Sequence, residues 1–314
     1  MRAIDCFGHT DCGAPLSVAE SLQNQPVSIM KIPVWQIDLR MNGYLFGCFL
    51  LLAFWLLIRL GLGVRKRRWM LRELWWASLT CTALGLTEPL FVPEYWNPPS
   101  ILRLGRWDFE SFPFCFAVGG ISAVLTELPL FKGFLVDLYF SFERSLRWVL
   151  ALISTGTRGR IHAAILGRPA LSVLIPPDRL RIENMLLVTF CLAVFGATGQ
   201  FAINIIYKAA IVSFSSALWI AWRRPSLRWQ ILGGGISFTV LYTIVLLVTG
   251  LRYPGFYDHW NLQALSGIRI LGAPAEEYLY SFTFGSFWAP LYEAWKQSRI
   301  YEQSASTTLP IGMP

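Results

Sequence analysis

Seven apolar stretches, most of them long enough to cross a lipid bilayer, constrain this chain more than any other feature. A transmembrane helix needs roughly 20 consecutive, mostly apolar residues. The candidate spans are residues 44–64, 73–92, 111–131, 184–206, 209–222, 229–251 and 276–295. A chain with 54% hydrophobic and only 15% charged residues is also not an ordinary soluble domain. We therefore predict an all-α integral membrane protein with about seven transmembrane helices.

Basic residues indicate how these helices are oriented. They cluster at residues 65–68, in the segment 132–181 and at residues 223–224. Because cytoplasmic loops carry an excess of Lys and Arg, these three regions are predicted to lie inside. The N-terminus then lies outside and the C-terminus in the cytoplasm, in a multi-pass protein of the cell (inner) membrane. The net charge of +8 is explained by this orientation and does not require a nucleic-acid partner.

One segment of the chain occurs twice. Counting from Glu110 and from Glu276, both copies place aromatic residues at +2, +4 and +6, Gly at +9, Leu at +15 and Glu at +17. A Trp-Asn pair precedes each copy, as Trp96-Asn97 and as Trp260-Asn261. Since internal repeats determine an architecture, this duplication is the strongest guide to the topology.

The duplication predicts two three-helix repeats that run in the same direction, residues 44–131 and 209–295. A unit with an odd number of spans cannot be followed directly by a parallel copy, so a linking transmembrane helix is expected at 184–206. Three further segments complete the predicted organisation. They are an extracytoplasmic tail with a disorder-like composition (1–43), a basic cytoplasmic linker with an amphipathic helix (132–183) and a cytoplasmic tail (296–314).

Neither a metal nor a cofactor is predicted from the sequence. Cys6 and Cys12 flank His9, but no second pair of ligands follows, and a disulfide within this short loop is an equal alternative. We favour neither. The other four cysteines lie in predicted spans, where a free thiol usually acts as a small apolar residue. No nucleotide-binding fingerprint is present, because the glycine clusters lie at or within spans. Gly119-Gly120 and the run Gly233 to Gly235 are instead expected to let helices approach closely.

Carboxylates stand at the start of two apolar helices, where they are costly. They are Asp108 and Glu110 in the first copy, and Glu276 and Glu277 after Pro274 in the second. One interpretation is a helix cap, since acids suit the positive end of a helix and Pro is tolerated in its first turn. The other is acid–base chemistry, because burial raises the pKa of a carboxyl group and two close carboxylates cannot easily both ionise. The motif alone leaves both open.

The second copy contains a longer pattern that extends beyond these acids. Trp260-Asn261 is followed by Leu271-Gly272-x-Pro274-x-Glu276-Glu277-x-Leu279-Tyr280 and, at the helix end, by Tyr292-Glu293. This pattern resembles the membrane lycopene cyclase domain of the heterodimeric bacterial and fused fungal type. The first copy is only loosely similar, since it reads Trp107-Asp108-Phe109-Glu110 and lacks the Pro and the paired Glu.

The resemblance implies a membrane isomerase that cyclises a linear carotenoid end group through a carbocation, without a cofactor. It implies that Glu276 and Glu277 are the acid/base pair, with Glu110 and Asp108 as the counterpart in the first repeat. Residues expected to bind the substrate are Pro274, Tyr280, Trp260, Asn261, Trp96 and Asn97. Expected partners are the lipid bilayer and a long apolar polyene, with no nucleic acid. The sequence is compatible with a homo- or hetero-oligomer.

A non-catalytic membrane transporter or scaffold built on the same repeat is the alternative. Glu110 and Glu276 would then be interface caps or ion-binding groups. A prenyl-chain transferase ranks lowest, because the chain has no Asp-rich motif for a magnesium-bound diphosphate. Fold membership alone does not distinguish these functions.

Overall fold

The computed structural model describes residues 35–37, 42–133, 135–137, 141, 144 and 175–297. The predicted extracytoplasmic tail, apart from residues 35–37, 42 and 43, lies outside the described residues. Most of the predicted amphipathic helix and basic linker, and nearly all of the C-terminal tail, lie outside them too. So do Cys6, His9 and Cys12.

The described part of the chain is built mainly from α-helices, which confirms the all-α class, and eight of these helices are used below. They are α1 (Gly43–Val64), α2 (Arg68–Thr82), α3 (Glu88–Phe91), α4 (Ser111–Val124), α5 (Pro177–Thr198), α6 (Ile205–Arg223), α7 (Arg228–Arg252) and α8 (Ala275–Lys296). A 3-10 turn, Ala83–Thr87, joins α2 to α3, so these two elements form one continuous helical stretch.

Among the described residues, four helices are long and apolar enough to cross a membrane: α1, α5, α6 and Pro225–Arg252, which contains α7. A fifth crossing results if the bent pair Ser111–Glu127 and Pro129–Asp137 forms one span. These helices fit a membrane protein, whereas the full set of seven predicted spans is not confirmed. The α2 stretch changes to a 3-10 turn after Thr82, and α8 carries acidic residues at both ends.

Local sequence signals explain where the helices begin. The Asn42 side chain accepts a hydrogen bond from the Leu45 amide at 2.9 Å and caps α1. Asn204 caps α6 in the same way through the Ile206 amide at 3.1 Å. Side-chain caps of this kind satisfy amides that have no partner within the helix.

The linking helix differs from its predicted position. It was expected at 184–206 but spans Pro177–Thr198, because Pro is well suited to the first turn of a helix. The next helix therefore begins earlier as well, and Tyr207 and Lys208 lie inside its first turn.

Two helix pairs pack closely through small residues, as the glycine clusters predict: α2 with α4, and α7 with α8. A Cβ atom added at Gly234 would lie 2.4 Å from the Cβ of Ala289 and 2.6 Å from the carbonyl oxygen of Gly285. A Cβ at Gly119 would lie 2.7 Å from the carbonyl oxygen of Ala77. Each pair therefore depends on a position that holds no side chain, which is a common device between membrane helices.

Short hairpins precede α4 and α8. Strand β1 (Trp35–Ile37) pairs with β2 (Leu102–Leu104), which pairs with β3 (Trp107–Asp108). Strand β4 (Arg269–Ile270) pairs with β5 (Ala273–Pro274). Gly105 turns the first hairpin with φ of 63°, and Gly272 helps to turn the second with φ of 91°. Such backbone angles favour glycine.

The two Trp-Asn loops contact each other directly. Trp96 and Trp260 form an antiparallel bridge. The Asn97 amide donates to the His259 carbonyl at 2.8 Å, and the Asn261 amide donates to the Tyr95 carbonyl at 2.9 Å. Each loop therefore gives the other the same hydrogen bond, from the Asn of one to the residue before the Trp of the other.

The four cysteines within the described residues are free. Cys48 and Cys81 are buried, and Cys115 and Cys191 are half-buried. Their positions in apolar helices agree with the prediction that they act as small apolar side chains.

Candidate active site

A cavity of about 580 Å³ lies among the helices. It is bounded by residues of α1, α3, α4, α5, α6, α7 and α8, by the 3-10 turn before α3 and by the loops that contain Trp96 and Trp260. Its size is typical of a site for a small organic ligand. The lining is overwhelmingly aliphatic and aromatic, and Glu88 and Glu277 are the two carboxylates among the lining residues that the structure describes. The cavity can therefore hold an apolar ligand next to two carboxyl groups.

Glu277 lies in the first turn of α8, and only 4% of its surface is exposed. Its Oε1 accepts hydrogen bonds from the Tyr95 hydroxyl and, at 2.7 Å, from the Trp260 indole N–H. Burial, followed by the charge of Glu277, raises the pKa of Tyr95 well above its ordinary value, so the phenol keeps its proton and donates it. Tyr242 also lies within reach of the carboxylate.

Glu276 points to a different side of the same helix, as the turn of about 100° per residue requires. Its Oε1 accepts hydrogen bonds from the Tyr207 hydroxyl and, at 2.8 Å, from the Ser266 amide. It is buried but is not among the residues that line the cavity. Glu276 thus ties α8 to α6 and to the preceding loop.

Glu110, its counterpart in the first copy, makes the same kind of contact. Its carboxylate accepts from the Ser100 hydroxyl at 2.5 Å and from the Ile101 amide. Ser100 and Ser266 each stand ten residues before their glutamate. Like Glu276, Glu110 is buried without lining the cavity.

Asp108 pairs with a cation in the first hairpin. The Arg103 Nε lies 2.6 Å from Asp108 Oδ1, and the Asp108 side chain is fully buried. Burial raises the pKa of Asp108, while Arg103 opposes that rise. Arg103 also donates to the carbonyl of Pro98 and to the Asn97 side chain, so the pair fixes the Trp-Asn loop. Asp108 does not line the cavity.

The residues predicted to bind substrate divide into two groups. Trp96, Trp260 and Tyr280 line the cavity. Asn97 and Asn261 are exposed and join the loops through their backbone amides. Pro274 is buried immediately before α8 and does not line the cavity. The structure therefore brings together the aromatic members of the set with Glu277.

Aromatic rings make up much of the cavity lining. The Trp96 and Trp260 rings lie 5.7 Å apart, and the Tyr280 and Phe284 rings lie 5.7 Å apart. Of the six aromatic residues in the repeated motif, Phe114 and Tyr280 line the cavity. These two stand at +4 in their respective copies. The faces of such rings attract a cation, so the cavity can stabilise a positive charge on a ligand.

Glu88 is the functional candidate that our sequence reasoning missed. It begins α3, and 8% of its surface is exposed. Its carboxyl group lies against Ser111 and Trp96, and its Oε1 is buried without a hydrogen-bond partner among the described residues. The signal was available, because an ionisable residue inside an apolar span is by itself a reason to suspect function.

The comparisons with known proteins bear on the second half of the chain. Residues 185–295 match the family model described as lycopene cyclase. This match includes Glu277, Trp260 and Tyr280. No curated protein and no solved structure matches the chain significantly. The match covers about a third of the chain, so the finding is that this segment is similar to the lycopene cyclase family.

Proposed function

We propose that this protein is a lycopene cyclase-like membrane isomerase, which closes a ring at the end of a linear carotenoid by acid catalysis. The observation that carries the proposal is Glu277. It is a buried carboxylate at the wall of an apolar, aromatic cavity, within the segment that matches the family. A polyene has no polar group to bind, so its cyclisation needs an apolar cavity with a carboxyl group that can take part in proton transfer.

The reaction requires three events. A proton is added to a terminal double bond, the resulting cation is attacked by a second double bond to form the ring, and an adjacent C–H bond loses its proton to a base. Glu277 is positioned for a proton transfer at the cavity wall, and general acid–base catalysis contributes about 10²–10⁴-fold to a rate. The rings of Trp96, Trp260 and Tyr280 would stabilise the intermediate cation.

We assign the proton-transfer role to Glu277 ahead of Glu276, Glu110 and Asp108. Those three carboxylates are bound to loop or hairpin partners and are not among the cavity-lining residues. Their proposed role is to hold the Trp-Asn loops and the starts of α4 and α8 in position. The aromatic lining depends on those loops.

We also propose that the architecture is a duplicated three-helix unit, with a two-fold axis along the membrane normal and the N-terminal side outside. Matching contacts support it, above all the reciprocal hydrogen bonds of the Trp-Asn loops and the serine that each of Glu110 and Glu276 contacts. The equivalent close packing of α2 with α4 and of α7 with α8 supports it too. A parallel repeat requires the linking helix that α5 supplies.

The test is expression in lycopene-accumulating bacteria, with chromatography of the extracted pigments. We expect cyclised carotene from the wild type and none above background from Glu277→Gln. The matched control is Glu94→Gln, because Glu94 is an exposed loop residue that does not line the cavity. If the wild-type protein is inserted in the membrane and lycopene is unchanged, the cyclase function is refuted and the transporter or scaffold alternative is favoured.

A further inference from the structure

Glu88 and Ser111 hold a second acid position in the cavity. Ser111 follows Glu110 directly, as Glu277 follows Glu276, so Ser111 stands where the second copy has its cavity carboxylate. The Glu88 carboxyl group, which comes from the neighbouring helical stretch, lies against Ser111 and Trp96. The first copy thus lacks the paired glutamate in its motif but has a carboxyl group beside the same position.

The two carboxylates have corresponding partners. Glu277 accepts from the Trp260 indole, and Glu88 lies within reach of the Trp96 indole. The two tryptophan rings lie 5.7 Å apart, and Tyr280 is close enough to both carboxylates to interact electrostatically with each of them. Glu88 and Glu277 therefore line the same cavity, together with these aromatic rings.

Their hydrogen bonding differs in a way that separates their roles. Glu277 Oε1 receives two donors, Tyr95 and Trp260, and such donors favour the ionised form of a carboxyl group. The Ser111 hydroxyl and the Trp96 indole also lie within reach of the Glu88 carboxyl group, but its Oε1 is buried without a partner among the described residues, and an ionised oxygen in that state is costly. The ion pair of Asp108 with Arg103 presents charges of both signs to Glu88.

Building on the proposed cyclase function, we propose that Glu88 is the catalytic acid and Glu277 the catalytic base of one shared site. The Glu88 carboxyl proton is transferred to the terminal double bond, whose electron pair forms the new C–H bond and leaves a tertiary cation. A second double bond supplies the pair for the ring-closing C–C bond. Glu277 then takes a proton from the carbon beside the new cation, and that C–H pair becomes the ring double bond.

The sequence of steps involves no oxidant or reductant, and the product is an isomer of the substrate. After one turnover Glu88 is ionised and Glu277 is protonated. The site is reset when one proton returns from Glu277 to Glu88, directly or through solvent. A separate acid and base account for the two carboxylates among the described lining residues, which include no fixed cation.

The kinetic test measures lycopene conversion by membranes that contain equal amounts of each variant. We expect Glu88→Gln to lower the rate by about 100-fold or more, and the Glu94→Gln control to stay within about two-fold of the wild type. Glu88→Gln that cyclises lycopene at the wild-type rate overturns the inference while leaving the proposed function intact. Wild-type membranes that do not cyclise lycopene refute the proposed function itself.

A second measurement does not depend on whether the Glu88→Gln variant folds. Dicyclohexylcarbodiimide is an apolar reagent that modifies protonated carboxyl groups in water-poor sites. We expect peptide mass spectrometry of the treated wild type to find the adduct on Glu88, and added lycopene to protect it. The absence of an adduct on Glu88, in a sample where other carboxyl groups are modified, would contradict the inference that Glu88 is protonated.

Discussion

The contact of α7 with α8 makes a quantitative prediction about Gly234. In Gly234→Ala the new methyl group would lie 2.4 Å from the Ala289 Cβ and 2.6 Å from the Gly285 carbonyl oxygen, whereas carbon atoms pack at about 3.5–4.0 Å. The carbonyl belongs to the helix backbone and cannot rotate away. The helices must therefore separate by roughly 1 Å, and overpacking of this kind costs about 1–3 kcal/mol.

The assay is the fraction of purified protein that remains monodisperse in detergent after heating. At about 2–4 °C per kcal/mol, the half-loss temperature of Gly234→Ala should fall by roughly 2–12 °C. The matched control is Gly61→Ala, since a Cβ at Gly61 in α1 meets nothing within 4 Å. That control should be unchanged or slightly more stable, because Ala favours a helix over Gly by about 0.5–1 kcal/mol. Equal half-loss temperatures for the two variants would refute the close-packing argument.

Three further variants test the site. Tyr95→Phe removes one hydrogen-bond donor to Glu277 and leaves the Trp260 donor in place. Since a hydrogen bond to a charged group contributes about 1.5–3 kcal/mol, the cyclisation rate should fall about 10–100-fold. An unchanged rate would show that this hydrogen bond does not contribute to catalysis. Glu276→Gln should retain more activity than Glu277→Gln in the pigment assay, because Glu276 does not line the cavity; the reverse order would return the proton-transfer role to Glu276. Arg103→Ala leaves the Asp108 carboxylate buried without its cation. The stability of the protein should therefore fall by about 3–5 kcal/mol, as measured in the heating assay. The double variant Arg103→Ala/Asp108→Asn should recover part of this loss.

The sequence predicted the helices well where a single physical signal dominated. Apolar length placed α1, α6 and α7 within a few residues, and the glycine clusters identified two close helix contacts. The start of α5 was misplaced by several residues. The predicted span followed hydrophobicity, while the helix itself begins at Pro177, in a polar stretch before it.

The site was predicted less completely, for a geometric reason. The motif identified Glu276 and Glu277 together, and only the direction of each side chain around α8 shows that Glu277 alone lines the cavity. Glu88 belongs to no repeated motif, since it approaches Ser111 from another helical stretch. Sequence spacing within one element does not reveal a partner contributed by a different element.

The position of α5 has a consequence for how a long hydrocarbon would reach the site. Leu187 and Thr198 are the buried residues of this helix, which packs chiefly against α6 among the described elements, yet its residues Leu187, Cys191 and Phe195 line the cavity. One wall of the cavity is therefore a helix held mainly from one side. A small lateral movement of α5 would open the cavity towards the lipid acyl chains. A long hydrocarbon could then enter from the side, and the part that does not react could stay in the lipid.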